Sequence, residues 1–159
     1  MNYFELFELP VSINIDKSCI AKKYFELQKL HHPDFFTQAD ETEQQAALEK
    51  SSTLNKALKT LKNQDETIRY VLELKGLIEP EEKYTLAPDF LMEMMELNEN
   101  FGDDTAAKIE AAEQDLLDKI NPIVVNYDDA TITKEELLQL KEYYFKKKYL
   151  HRILDRMEG

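Results

Sequence analysis

The sequence predicts an all-α protein, and three observations predict it. Only 3 Gly and 5 Pro occur in 159 residues, while the strong helix formers Leu, Glu, Lys, Ala and Gln are plentiful. Apolar residues recur at three- and four-residue spacing along several long stretches, and polar or proline-containing breaks separate them. With 43% hydrophobic residues the chain can bury a core, either as one ordinary domain or as two small ones.

Taken in order, "NYFELFELP" at 2–10 reads as a short helix or turn closed by Pro10. Asp16 is the expected N-cap of the next helix. Its apolar stripe is Ile20, Tyr24, Leu27 and Leu30, with Lys22, Glu26 and Lys29 opposite and Lys23 at the margin. Pro33 disfavours helical geometry at His32, so the helix stops there. A polar loop around Phe35 and Phe36 follows. Thr42 and Gln45 match a capping box opening a long helix with the apolar face Ala47, Leu54, Leu58 and Leu61. "NQDE" at 63–66 breaks it, and "TIRYVLELKG" forms a short helix capped by Gly76. The two long helices should make an antiparallel hairpin with His32-Pro33-Asp34 near its tip.

Residues 77–87 read as a linker, with Leu77, Ile78 and Leu86 able to pack down. Domain boundaries are therefore expected at 1–76 and 88–159. Pro88 opens a helix expected to reach Phe101 and stop at Gly102, with Phe90, Met94, Leu97 and Phe101 as its core stripe. A second helix follows Asp104, carries Ile109, Ala112, Leu116 and Ile120, and should end near Asn121-Pro122. Thr133 and Glu136 form a capping box for a last helix bearing Leu137, Leu140, Tyr144, Leu154 and Met157. Phe145 and Tyr149, one turn apart, lie away from that stripe. These three helices suggest a bundle.

A net charge of −12 argues against nucleic acid and acidic membrane surfaces as partners. The charge is uneven. Residues 1–75 carry 10 basic against 12 acidic side chains, whereas residues 76–159 carry 10 against 20. A near-neutral half joined to a strongly acidic half suggests two modules with different partners. The single cysteine, Cys19, cannot form an internal disulfide, which fits a reducing compartment, and its helical setting suggests buried packing. No leader pattern or membrane-length apolar run is visible, so a soluble, cytoplasmic protein is expected.

The most informative stretch is "KLHHPDFF" at 29–36. His32-Pro33-Asp34 admits three readings: a proline-terminated helix with a turn, a metal site, or a surface read by another protein. The metal reading needs His31, His32, Asp34 and the distant His151 to converge, and neither His-x₃-His nor Cys-x₂-Cys spacing supports it. A small helical metalloenzyme built on these residues is the competing class. The docking reading rests on the basic edge Lys22, Lys23 and Lys29, which leads into a stiffened turn bearing an imidazole and a carboxylate. Such a surface fits an acidic groove, with Asp34 engaging an arginine there.

Residues 1–75 resemble a J-domain, through "YFELFELP", "YFELQKLHHPD" and "SSTLNKALKTLKNQDETIRYVLELKG". His-Pro-Asp between two long helices is that family's signature. A J-domain followed directly by an acidic three-helix region is similar to the HscB type, and "DFLMEMMELNE" at 89–99 is its second signature. The resemblance implies a co-chaperone that is not an enzyme and has no cofactor or resident metal. It would deliver an iron–sulfur cluster scaffold protein (IscU type) to a dedicated ATP-dependent chaperone (HscA type) and stimulate its ATPase. The alternative is a J-protein of broader client range acting with a general DnaK-type chaperone.

By this resemblance His32, Pro33 and Asp34 form the chaperone-activating loop, with Lys22, Lys23 and Lys29 as electrostatic contacts. The scaffold-binding patch matches Leu91, Met92, Met95, Glu96, Glu99 and Tyr149. The residues themselves point the same way: the 89–99 helix carries apolar side chains on two faces, more than one core needs, and a Met-rich outer face makes an adaptable binding surface.

Overall fold

The computed structural model describes residues 1–158. Among them are seven α-helices and one 3₁₀ turn, with no strand. The helices are α1 (Tyr3–Leu6), α2 (Lys17–His31), α3 (Glu41–Leu61), α4 (Gln64–Leu74), α5 (Pro88–Glu99), α6 (Thr105–Val125) and α7 (Lys134–Glu158); the 3₁₀ turn is Pro33–Phe36. Two compact units form, Met1–Val71 and the residues from Leu72 on, with the division inside α4. Residues 77–87 thus group with the second unit.

In the first unit, α2 and α3 pair as a hairpin, and α1 and the 3₁₀ turn also rest on α3. Its core is Phe4, Phe7, Ile13, Ile20, Leu54, Ala57, Leu61, Ile68 and Val71. Asn2 caps α1 by accepting the Glu5 N–H. The helix closes through Glu8, which sits in the left-handed region at φ 55. There the Leu9 and Glu8 amides bond back to the Phe4 and Glu5 carbonyls. That geometry costs a non-glycine residue about 1–2 kcal/mol, and the Glu8 carboxylate is held by Lys23 Nζ at 2.9 Å.

Asp16 caps α2 as expected, accepting the Ser18 N–H at 2.9 Å. Cys19 is exposed rather than buried, its thiol 3.6 Å from an Asp16 carboxylate oxygen. The stripe on α2 also differs from expectation. Ile20 is buried and Tyr24 and Leu27 are half-buried, but Leu30 is exposed and Gln28 is buried instead. Gln28 occupies that place because α3 offers it partners. Its amide nitrogen donates to the Asn55 side chain (3.2 Å), the Tyr24 hydroxyl (3.3 Å) and the Ser51 carbonyl (3.4 Å). Its oxygen accepts from the Ser51 hydroxyl at 3.0 Å. A buried amide is tolerated only when satisfied in this way. The α3 cap is Asp40, accepting the Glu43 N–H, rather than the expected pairing of Thr42 with Gln45. Gly76 (φ 73) does terminate α4, with the Leu77 and Gly76 amides bonded to the Leu72 and Glu73 carbonyls.

In the second unit, α6 packs along α7 and α5 packs on α6, with Met94, Ile109, Ile120, Leu140, Leu150 and Ile153 among the most buried side chains. Pro88 begins α5, but the helix ends at Glu99, before the expected Phe101. The Asn100 amide and side-chain nitrogen both bond to the Glu96 carbonyl, leaving Phe101 outside the helix and exposed. Conversely, α6 runs through Pro122 to Val125 instead of stopping at Asn121-Pro122. An interior proline costs about 3 kcal/mol, whereas full burial is worth about 1.5–3 kcal/mol per large aliphatic side chain. Ile123 and Val124 are both buried just beyond it, so burial wins.

The Thr133–Glu136 capping box forms reciprocally, with bonds of 3.1 Å each way. The buried stripe of α7 is Leu137, Leu140, Tyr143, Leu150 and Ile153. Tyr144, Leu154 and Met157 are only half-buried, and Phe145 is stacked on Tyr84 (4.6 Å, 3°). The 79–86 segment covers another side of α7, the one that carries Lys141 and Phe145. That segment is pinned by a 2.8 Å ion pair between Glu82 and Lys141.

Candidate functional site

Proline rules build the loop in the first unit. His32 leaves α2 with ψ 135, the extended geometry a following proline demands. Pro33 then opens the 3₁₀ turn, where its missing N–H costs nothing. His32 caps that turn, its Nδ1 accepting the Asp34 backbone N–H at 3.2 Å. The Asp34 carboxylate lies 3.6 Å from the same nitrogen. The Asp34 carboxylate is strongly exposed. The result is a stiff turn presenting an imidazole and a carboxylate side by side.

Lys22 and Lys29 lie exposed on α2. Lys23 is different: it is largely covered and bonded to Glu8, which raises its pKa. The structure thus keeps Lys22, Lys29, His32 and Asp34 on the surface and engages Lys23 locally. Two exposed rings were given no role by the sequence reading: Phe25, on the lysine-bearing side of α2, and Phe35, inside the 3₁₀ turn. The residue composing the α2–α3 latch, Gln28, was also missed. Its signal was a polar residue eight positions from Ile20, interrupting an otherwise apolar edge.

In the second unit the candidate patch lies on α5. At 100° per residue, Leu91, Met92, Met95, Glu96 and Glu99 fall within an arc of about 140°, opposite the buried Phe90 and Met94. Met92 and Met95 are 63% and 55% exposed, Glu96 and Glu99 are exposed, and Leu91 is half-buried. Tyr149 on α7 is half-buried, its ring edge-on to Phe90 at 6.2 Å. It lines a cleft of about 360 Å³ with Tyr84, Phe145, Lys148 and Arg152. Beside the patch, a groove of about 460 Å³ between α5 and α6 is lined by Glu93, Glu96, Asp115 and the small Ala111 and Ala112. Flexible thioethers ringed by carboxylates suit a partner with an apolar centre and basic margins.

Among the described residues no three His, Cys, Asp or Glu side chains converge as metal ligands. No helix among the described residues is long and apolar enough to cross a membrane.

A helical hairpin carrying an exposed His-Pro-Asp turn, followed by a helical bundle, is the build of a J-domain protein with a helical C-terminal domain. Residues 86–158 match the family model described as the HSCB C-terminal oligomerisation domain. A co-chaperone protein HscB homolog of Vibrio cholerae (strain M66-2) is 41% identical over 107 residues, covering 67% of this chain. In that match the chain spans 63% of the relative's length, less than two thirds. A co-chaperone protein HscB homolog of Psychromonas ingrahamii is 36% identical over 152 residues, covering 89% of each chain. The solved structure of chaperone HscB from Vibrio cholerae superposes with a TM-score of 0.73 at 30% identity, covering 99% of this chain and 96% of that one. The chain belongs to the HscB co-chaperone family.

Proposed function

We propose that this protein is a cytoplasmic adaptor that brings an IscU-type iron–sulfur cluster scaffold to an HscA-type chaperone and stimulates that chaperone's ATPase. The observation carrying this reading is the pairing of two exposed surfaces of opposite character. One is the turn His32-Pro33-Asp34 with Lys22 and Lys29, and Lys23 at its margin; the other is the Met-rich, acid-edged outer face of α5 with Tyr149.

The first surface is cationic and stiff, which lowers the ordering cost of docking into an acidic groove, and the exposed Asp34 can accept from an arginine there. In this reading it contributes no group to phosphoryl transfer itself. Its action on ATP hydrolysis is a bias on the partner's conformation, through tighter binding of one state than another. The second surface holds the scaffold through Leu91, Met92, Met95, Glu96, Glu99 and Tyr149.

Calorimetric titration with an IscU-type scaffold and, separately, with a reduced unfolded protein tests the assignment. Saturable binding of the scaffold, with no measurable heat from the unfolded chain, is expected. Equal affinity for both would instead indicate a broad-range J-protein acting with a DnaK-type chaperone.

A further inference from the structure

Phenylalanine is normally a core residue, yet Phe25 and Phe35 are 64% and 67% exposed. Their placement is not scattered. Lys22, Phe25, Lys29 and His32 follow one another at offsets of 0, 3, 7 and 10, down one edge of α2 into the loop. Phe25 therefore lies between the two free lysines, its ring edge-on to Tyr24 at 5.6 Å. Phe35 is tied to the loop by its own backbone, its N–H bonded to the His32 carbonyl at 3.0 Å, and its ring is edge-on to the imidazole at 6.2 Å. A protein that reads Lys22 and Lys29 meets the Phe25 ring, and one that reads His32 and Asp34 meets the Phe35 ring.

Resting on the reading above, we propose that Phe25 and Phe35 are apolar anchors of the ATPase-facing surface. The partner there is a protein with an acidic groove bordered by two apolar recesses. Three points favour that occupant. The rings are continuous with the His-Pro-Asp turn. They are interleaved with the exposed cations Lys22 and Lys29. Each ring packs edge-on against a neighbouring ring, so little conformational freedom is lost on docking. Aromatic anchors ringed by charge are the usual carriers of binding energy at such interfaces. Charge sets the approach and orientation, while the rings supply affinity that salt does not screen and discriminate against partners lacking the recesses.

The test is steady-state ATP hydrolysis by the HscA-type chaperone, titrated with the full-length protein as wild type, Phe25→Ser/Phe35→Ser, Phe25→Leu/Phe35→Leu and His32→Gln. Thermal midpoints of all four verify folding. The Ser pair should raise the concentration for half-maximal stimulation by at least about tenfold, leave the maximal rate unchanged, and keep the same ratio to wild type at high salt. The Leu pair should recover most of the loss. If the Ser pair lies within twofold of wild type while His32→Gln abolishes stimulation, the anchors are wrong and the activating loop stands. Normal stimulation by His32→Gln overturns both. Sedimentation that reveals wild-type self-association, lost in the Ser pair with stimulation unchanged, assigns the rings to a second copy and also overturns the proposal.

Discussion

The turn at 32–36 and the outer face of α5 are both exposed, yet different things hold them in place. The turn is shaped by its own backbone: Pro33 dictates the geometry of His32, His32 caps Asp34, and the satisfied Gln28–Ser51–Asn55 cluster lies one turn away between α2 and α3. The α5 face has no internal fixture. It is whatever remains uncovered once Phe90 and Met94 are buried, and it consists of pliable thioethers and carboxylates. A stiff surface suits delivery of a conformational signal, since little of the binding energy goes into ordering the loop. A pliable one suits holding a folded client.

The largest expected effect is a crossover between the two surfaces. His32→Gln or Asp34→Asn should abolish stimulation of chaperone ATP hydrolysis while scaffold affinity and thermal midpoint stay at wild-type values. Met92→Ala/Glu96→Ala should instead weaken scaffold binding by at least about tenfold by calorimetry, leaving scaffold-independent stimulation unchanged. If either set of variants moved both readouts, the division of labour would be wrong.

A smaller effect probes the latch behind the turn. Gln28→Leu leaves the Ser51 hydroxyl without its acceptor and should cost about 1–2 kcal/mol in urea unfolding. A cost near zero would mean that water satisfies Ser51 just as well.

The smallest effect is at the strap of the second unit, and it depends on pH. The Lys141 ammonium, 2.8 Å from Glu82, holds that carboxyl below its ordinary value of 4.5. At Asp129, burial pushes upward, but bonds from Lys75 and Tyr127 outweigh it and the net shift is down from 3.8. As pH falls, the unfolded chain takes up these protons before the folded one does. The stabilisation is therefore complete above about pH 4.5 and is lost progressively as pH drops through the folded values. Unfolding of Glu82→Gln followed across pH 3 to 7 should show a shallower acid limb than wild type, with a loss at neutral pH of about 1 kcal/mol, between the exposed and buried extremes for ion pairs.

Where local chemistry decided the structure, the sequence was readable. The stop at Pro33, the Asp16 cap, the Thr133–Glu136 box, the Gly76 terminus and the all-helical build needed only rules acting within a few residues. Where packing decided, periodicity misled. Leu30 fits the α2 stripe but stays exposed, because the amide of Gln28 found partners in Ser51 and Asn55 on α3. Phe101 continues the α5 stripe on paper, but Asn100 ends the helix first. Pro122 signals a stop that two buried neighbours override. At the candidate surfaces, the spacing of α5 revealed two apolar faces, but which face is covered depends on α6 and α7. The spacing of Phe25 sets it with Lys22 and Lys29, off the apolar stripe, whereas nothing along the chain distinguishes Phe35 in its loop from a buried ring.

If one frame engages a chaperone and a scaffold through separate surfaces, the two partners should act together on the frame. That is tested most directly by ATP hydrolysis of the HscA-type chaperone with this protein and the scaffold added singly and together. Synergy is expected, with joint stimulation well above the sum of the separate ones and lost with His32→Gln. Purely additive rates, or stimulation indifferent to His32, would contradict it.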